Sequence, residues 1–87
     1  MRIYTYILKM NDNRYYTGIT KNLKERLKQH NDGRSISTRR FLPVKLIHFE
    51  IYPSYKLARK VEVLIKSFGA RRYMIKKNID ANEKKFL

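Results

Sequence analysis

Residues 2–20, Arg2-Ile3-Tyr4-Thr5-Tyr6-Ile7-Leu8-Lys9-Met10-Asn11-Asp12-Asn13-Arg14-Tyr15-Tyr16-Thr17-Gly18-Ile19-Thr20, read as two strands joined by a turn. Residues 2–10 alternate and are rich in Ile and Tyr, which fit a pleated, half-buried surface. Asn11-Asp12-Asn13 is the turn, because Asn and Asp tolerate left-handed backbone and bond their own main chain. Residues 14–20 return as the second strand. Tyr6 and Tyr16 share a face of this hairpin if the register pairs residues whose numbers sum to an even value, which sequence does not fix.

Outward from the hairpin, Thr20 or Asn22 can cap a helix over about residues 22–31, with Leu23 and Leu27 as its buried stripe. Arg26 and His30, spaced i and i+4, stack on one face at the edge of that stripe. Asn31-Asp32-Gly33 closes the helix. Residues 33–43 form a loop carrying Arg34, Arg39 and Arg40, and Pro43 ends it. Val44 to Ile51 reads as a third strand, with Val44, Leu46 and His48 placed on one face. Pro53-Ser54 precedes a helix over 54–68, whose predicted core face is Leu57, Ala58, Val61, Leu64, Ile65 and Phe68. Gly69 punctuates it, and a third helix runs from about 70 to 77. The order β-β-α-β-α-α predicts an α+β domain: a small three-stranded, largely antiparallel sheet flanked by helices. One domain is expected over residues 1–78, with 79–87 as a disordered basic tail.

Composition narrows the function. Eighty-seven residues with 43% hydrophobic content suit one folded domain. At this size only about 60–65% of the unfolded surface is buried. The chain has no cysteine, so thiolate metal sites and disulfides are excluded. No apolar run approaches the ~20 residues of a membrane span. The start Met1-Arg2-Ile3-Tyr4 reads as strand, so the cytoplasm is the default compartment. Twenty-one Lys and Arg against seven Asp and Glu give a net charge of +14, spread along the chain. Such a surface attracts polyanions and releases their counterions on binding. No basic amphipathic helix can be spared from the core, so nucleic acid is expected as partner and a membrane is not.

Five residues stand out chemically. Glu62 lies about 40° around its helix from Ala58, beside the apolar face, where a carboxylate is costly to desolvate without a cation. An ion pair with Lys66, aided by Arg59, would explain it. Tyr6 and Tyr16 fit as ordinary strand aromatics. Arg26 fits as a helix-surface arginine, although it borders the leucine stripe while Lys24 and Lys28 do not. His30 fits as a C-terminal helix residue favoured by the dipole.

Taken in order, Thr5-Tyr6-Ile7, Tyr16-Thr17-Gly18-Ile19-Thr20, Leu23-x-x-Arg26-Leu27-x-x-His30-Asn31 and Glu62 with Ile65-Lys66 resemble the GIY-YIG nuclease superfamily, especially its small stand-alone bacterial members. The resemblance covers about residues 2–77. It implies that both tyrosine hydroxyls face the scissile phosphate. Tyr6 would be the general base for the attacking water, and Tyr16 would position or relay it. Arg26 would stabilise transition-state charge, and His30 would assist or orient Tyr6. Glu62 would hold a single Mg²⁺ or Mn²⁺ ion. A phenol with pKa near 10 is a poor base at neutral pH, and the surrounding positive charge is expected to favour its phenolate. Gly18 belongs to the second motif, and Asn78 is the nearest match to a late asparagine of the family. The triads read Thr-Tyr-Ile and Tyr-Thr-Gly here. The loop reads Ile36-Ser37-Thr38, where small bacterial members often carry Lys-Tyr-Thr.

The expected function is metal-dependent endonuclease action on DNA, ahead of RNA, with structure-specific cutting in repair or recombination. Lys21, Arg34, Arg39, Arg40, Lys66, Arg71 and Arg72 are the candidate phosphate contacts, and an unidentified protein could supply targeting. Two other classes fit parts of the sequence: a non-catalytic nucleic-acid-binding module of the same fold, and a basic ribosome-associated protein. Binding alone does not need the ordered set of Tyr6, Tyr16, Arg26, His30 and Glu62.

Overall fold

A computed structural model describes residues 1–85. Three antiparallel strands, β1 (Ile3–Lys9), β2 (Tyr15–Thr20) and β3 (Lys45–Tyr52), form one sheet in the order β2-β1-β3. The helices are α1 (Leu23–Asn31), α2 (Tyr55–Phe68) and α3 (Ala70–Lys76), with a short 3₁₀ turn at Arg39–Phe41. The predicted element order and α+β class hold, and boundaries fall within a residue or two of those read from sequence.

The central strand β1 is buried on both faces, from Ile3 through Leu8. Tyr4, Tyr6, Leu8 and Met10 face one layer, where Leu23 and Leu27 of α1 and Phe41 and Leu42 of the following loop cover them. Ile7 faces the other layer, packed with Ile47, Ile65, Ala70, Tyr73 and Met74 beneath α2 and α3. Thr5 on that side donates its hydroxyl to the Ala58 carbonyl at 2.9 Å, pinning α2 to the sheet. The register pairs Tyr6 with Gly18 and Leu8 with Tyr16, an even sum that puts the two tyrosines on one face.

Local chemistry fixes the ends. The Asn22 side chain caps α1 by accepting from the Glu25 amide at 3.1 Å. Ser54 caps α2 from the Leu57 amide at 3.3 Å. Gly69, at φ 86°, breaks the chain between α2 and α3 in a region that L side chains avoid.

Two expectations are corrected. A β-bulge between Ile7 and Leu8 shifts the β1–β3 register, pairing Ile7 with His48 but Leu8 with Leu46. The extra residue moves His48 to the face opposite Leu46. There its Nε2 donates to Glu50 Oε2 at 2.6 Å, and Glu50 also accepts from the hydroxyls of Tyr52 and Tyr73. In α2 the buried residues are Ala58, Glu62 and Ile65, whereas Leu57, Leu64 and Phe68 are each more than 40% exposed. The helix is thus rolled so that Glu62 lies within its buried arc rather than beside it.

Residues 79–85 form no regular element. Ile79 packs on the second core cluster, and the Lys84 amide donates to the Leu46 carbonyl on the edge of β3. Asp80 and Glu83 balance Lys84 and Lys85 in this segment. The last two residues of the tail expected over 79–87 lie outside the described residues.

Candidate active site

Three elements bring four of the singled-out side chains together. Tyr6 projects from the central strand toward α1, and its hydroxyl lies 3.0 Å from His30 Nε2. His30 sits in the last turn of α1 and is fully buried. Tyr16, half-buried on β2, completes a cluster of rings. Its centroid is 6.4 Å from that of Tyr6 and 5.3 Å from that of His30, and Tyr6 and His30 meet edge-on at 5.9 Å. Arg26, one helical turn before His30, is half-buried on the same face and donates through Nη1 to Gln29 Oε1 at 3.0 Å. Arg26 also acts electrostatically on both Tyr6 and Tyr16.

Gly18 belongs to this cluster for a steric reason. It sits opposite Tyr6 across β1 and β2, and a Cβ there would lie 2.5 Å from the Tyr6 hydroxyl and 2.7 Å from Cζ. Real Cβ atoms do not approach so closely, so position 18 must lack a side chain for the Tyr6 ring to lie where it does.

The electrostatics refine the expectation for Tyr6. Burial pushes its pKa up to about 12, and the Arg26 interaction that favours phenolate only partly opposes this. Nearby Tyr16 and Glu62 add to the rise. The expected net help from positive charge is therefore outweighed by desolvation. Burial, and then the Arg26 charge, push His30 down to about 4, so the ring is neutral at pH 7.

Glu62 approaches from α2, on the other face of the sheet. Its side chain is 12% exposed and pairs with Lys66 Nζ at 3.3 Å, the i, i+4 contact foreseen from spacing. Among the described residues no group of three or more His, Asp or Glu side chains is arranged to hold a metal. A hard cation at Glu62 would take its other ligands from water and from a phosphate, the usual habit of Mg²⁺, and one carboxylate oxygen donor fits that habit.

The remaining candidates divide by place. Arg39 and Arg40 are exposed and follow directly on Thr38, which is bonded to His30. Arg34 is exposed in the same loop, and Lys21 is exposed just before α1. Arg71 and Arg72 are exposed on α3, over the opposite face. Lys66 is engaged with Glu62. Asn78 is exposed, just past the C-cap of α3, at φ 56°. Sequence reasoning passed over Thr38. It is fully buried, and its Oγ1 lies 2.8 Å from His30 Nδ1. The signal was present, since Thr38 is the position retained from the Lys-Tyr-Thr loop pattern.

Residues 2–81 match the GIY-YIG catalytic domain family. A UPF0213 protein of Streptococcus pyogenes serotype M5 (strain Manfredo) is 39% identical over 71 residues, covering 80% of this chain and 77% of that protein. A UPF0213 protein of serotype M3 (strain ATCC BAA-595 / MGAS315) is similar to the same extent. The solution NMR structure of a UPF0213 protein from Bacillus halodurans superposes with a TM-score of 0.57 at 30% identity, covering 90% of this chain and 84% of that one.

Proposed function

Since the chain belongs to the GIY-YIG catalytic domain family, we propose that it is a metal-dependent endonuclease that hydrolyses phosphodiester bonds in DNA. The observation that carries this is the convergence of Tyr6, Tyr16, Arg26 and His30 around a glycine that leaves room for the Tyr6 hydroxyl. A basic binding surface alone requires no such cluster.

In this reading water attacks phosphorus, Tyr6 as phenolate takes the water's proton, and the bond to the leaving sugar oxygen breaks. Tyr16 positions the water. Arg26, held in place by Gln29, balances charge growing on the phosphoryl oxygens. His30 holds the Tyr6 oxygen at hydrogen-bond distance. Glu62 would hold a single Mg²⁺ or Mn²⁺, whose charge serves the leaving oxygen. Lys66 pairs with Oε2 alone, so the ion can take Oε1, or displace Lys66 toward the phosphate. Arg34, Arg39, Arg40 and Lys21 supply the backbone contacts nearest the cluster. The substrate is a branched, flapped or nicked duplex of the kind met in repair or recombination, with targeting shared by a partner protein.

A labelled panel of duplex, single-stranded, flap and branched DNA and of RNA, with Mg²⁺ or Mn²⁺ against EDTA, tests this beside Glu62→Ala. Metal-dependent cutting of DNA that is lost in the variant, with affinity kept, supports the enzyme. One observation favours a binding module of the same fold instead: a Tyr6 pKa of about 12 leaves little phenolate at neutral pH. Tight, salt-sensitive binding without cutting in any lane would select that reading.

A further inference from the structure

We propose that Thr38 is a positioning residue: its hydroxyl donates to His30 Nδ1, holds the ring in the Nε2–H tautomer, and makes His30 a hydrogen-bond donor to Tyr6. This rests on the nuclease reading only for its consequence, because the hydrogen-bond pattern stands without it.

Thr38 Oγ1, the His30 ring and Tyr6 Oη form a linear chain, with contacts of 2.8 Å at Nδ1 and 3.0 Å at Nε2. A neutral imidazole has one N–H donor and one bare nitrogen acceptor. The chain therefore runs in one of two directions. In one, Tyr6 donates to Nε2 and Nδ1–H donates to Thr38, which strands the threonine hydrogen. In the other, Thr38 donates to Nδ1 and Nε2–H donates to Tyr6, so the surplus hydrogen is that of the tyrosine.

The two ends are not equivalent. Thr38 is fully buried, and among the described residues His30 is the one partner of its hydroxyl. A hydrogen stranded there has nowhere to go. The Tyr6 hydroxyl is buried as well, but it has neighbours besides His30: the Tyr16 ring centroid lies 6.4 Å from that of Tyr6, and Arg26 acts on both tyrosines. The end without an alternative neighbour thus sets the direction. Once Tyr6 is ionised no hydrogen is surplus, and Thr38, His30 and the phenolate are all satisfied. His30 then stabilises the phenolate rather than accepting its proton. A neutral ring is needed throughout, which the burial of His30 beside Arg26 favours. The neighbouring Ile36 and Ser37 are exposed and lie outside this chain of contacts.

Long-range ¹H–¹⁵N correlation spectra of the free protein, labelled with ¹⁵N-histidine at pH 7.5, read the tautomer directly. The His48 signals are recognised by their loss in His48→Gln. The expected result is bare Nδ1 and protonated Nε2 at His30. Thr38→Ser keeps that pattern, and Thr38→Val moves both nitrogens toward a mixture of tautomers. Protonated Nδ1 in the unsubstituted protein overturns the proposal even if Thr38→Val does not fold. An unmixed Nε2–H tautomer in folded Thr38→Val also overturns it, because something other than Thr38 would then fix the ring. Where cleavage is measurable, Thr38→Val lowers kcat about tenfold with KM little changed, a fraction of the ~10²–10⁴-fold that positioned proton transfer supplies, and Thr38→Ser restores it. A tautomer set by Thr38 in a protein that cuts nothing supports the hydrogen-bond assignment and sinks the nuclease reading alone.

Discussion

Gly18 faces Tyr6 across the β1–β2 pair so closely that a Cβ would sit 2.5 Å from the tyrosine hydroxyl. Gly18 is not among the positive-φ glycines, so the requirement is space and not backbone freedom. The Tyr6 ring is buried at 1% exposure and tied to His30, which leaves it no easy retreat. Gly18→Ala should therefore cost about 1–3 kcal/mol of stability, the usual cost of overpacking. It should also lower cleavage beyond what the unfolded fraction explains. Denaturant unfolding and rates on the folded fraction check this. Wild-type values in both would show that the Tyr6 position is not set by Gly18.

The same pair shows what sequence could and could not reveal. Tyr6, Tyr16, Gly18 and the hairpin are legible in the sequence, because alternation and an Asn-Asp-Asn turn are local signals. Their shared face awaited the register. The roll of α2 was not legible. Six apolar residues at helical spacing span a wider arc than α3 and the sheet cover, so Leu57, Leu64 and Phe68 are left at the surface. The face of His48 is not legible, because a bulge leaves no local mark in composition. The role of Thr38 is not legible for another reason: the one threonine kept from the loop pattern is a weak signal, and what it does depends on meeting His30 across the loop.

The rate of cleavage should rise with pH in a way that identifies the base. Tyr6 ionises near 12 in the free protein and His30 near 4. If the phenolate takes the proton, kcat/KM climbs about tenfold per pH unit from 6 to 9 without a plateau. His30 is neutral across that window and adds no inflection. Tyr6→Phe should abolish the climb together with the activity. A plateau above pH 7 with an apparent pKa near 6.5 would make a histidine the base and Tyr6 its partner.

Acid should weaken the fold through Glu50. Hydrogen bonding from His48, with further donors at Tyr52 and Tyr73, holds its carboxyl down to about 2, from an ordinary 4.5, although burial opposes this. A depressed folded pKa gives stability that is present above about 4.5 and is lost as pH falls toward 2. The linkage amounts to about 3–4 kcal/mol, at 1.36 kcal/mol per pKa unit. His30 acts at higher pH. Its folded pKa of about 4 lies below the ordinary 6.5, so the unfolded chain takes up the proton first and stability already falls between those values. Urea titrations at pH 7, 5 and 3 should show both losses. Glu50→Gln should lower stability at pH 7 and flatten the fall below pH 4.5, leaving the His30 part. An unchanged pH profile in that variant would show that the three donors do not act through a charged carboxylate.

Basic residues should contribute unequally to DNA affinity because the fold separates them. Arg39 and Arg40 begin at the residue after Thr38, which is bonded to His30, so they lie next to the tyrosine cluster. Arg71 and Arg72 ride on α3, whose buried residues pack against the other face of the sheet. A phosphate backbone threaded past Tyr6 and Tyr16 therefore passes the first pair more closely than the second. Each lost phosphate contact should reduce the slope of log K against log salt by about one unit. Replacing Arg39 and Arg40 with glutamine should reduce the slope by about two, and replacing Arg71 and Arg72 by less than one. Fluorescence anisotropy with a labelled duplex from 50 to 300 mM salt, a range of the order used for such slopes, gives both numbers. Equal losses from the two pairs would mean that the DNA wraps both faces or docks on charge alone, away from the tyrosines.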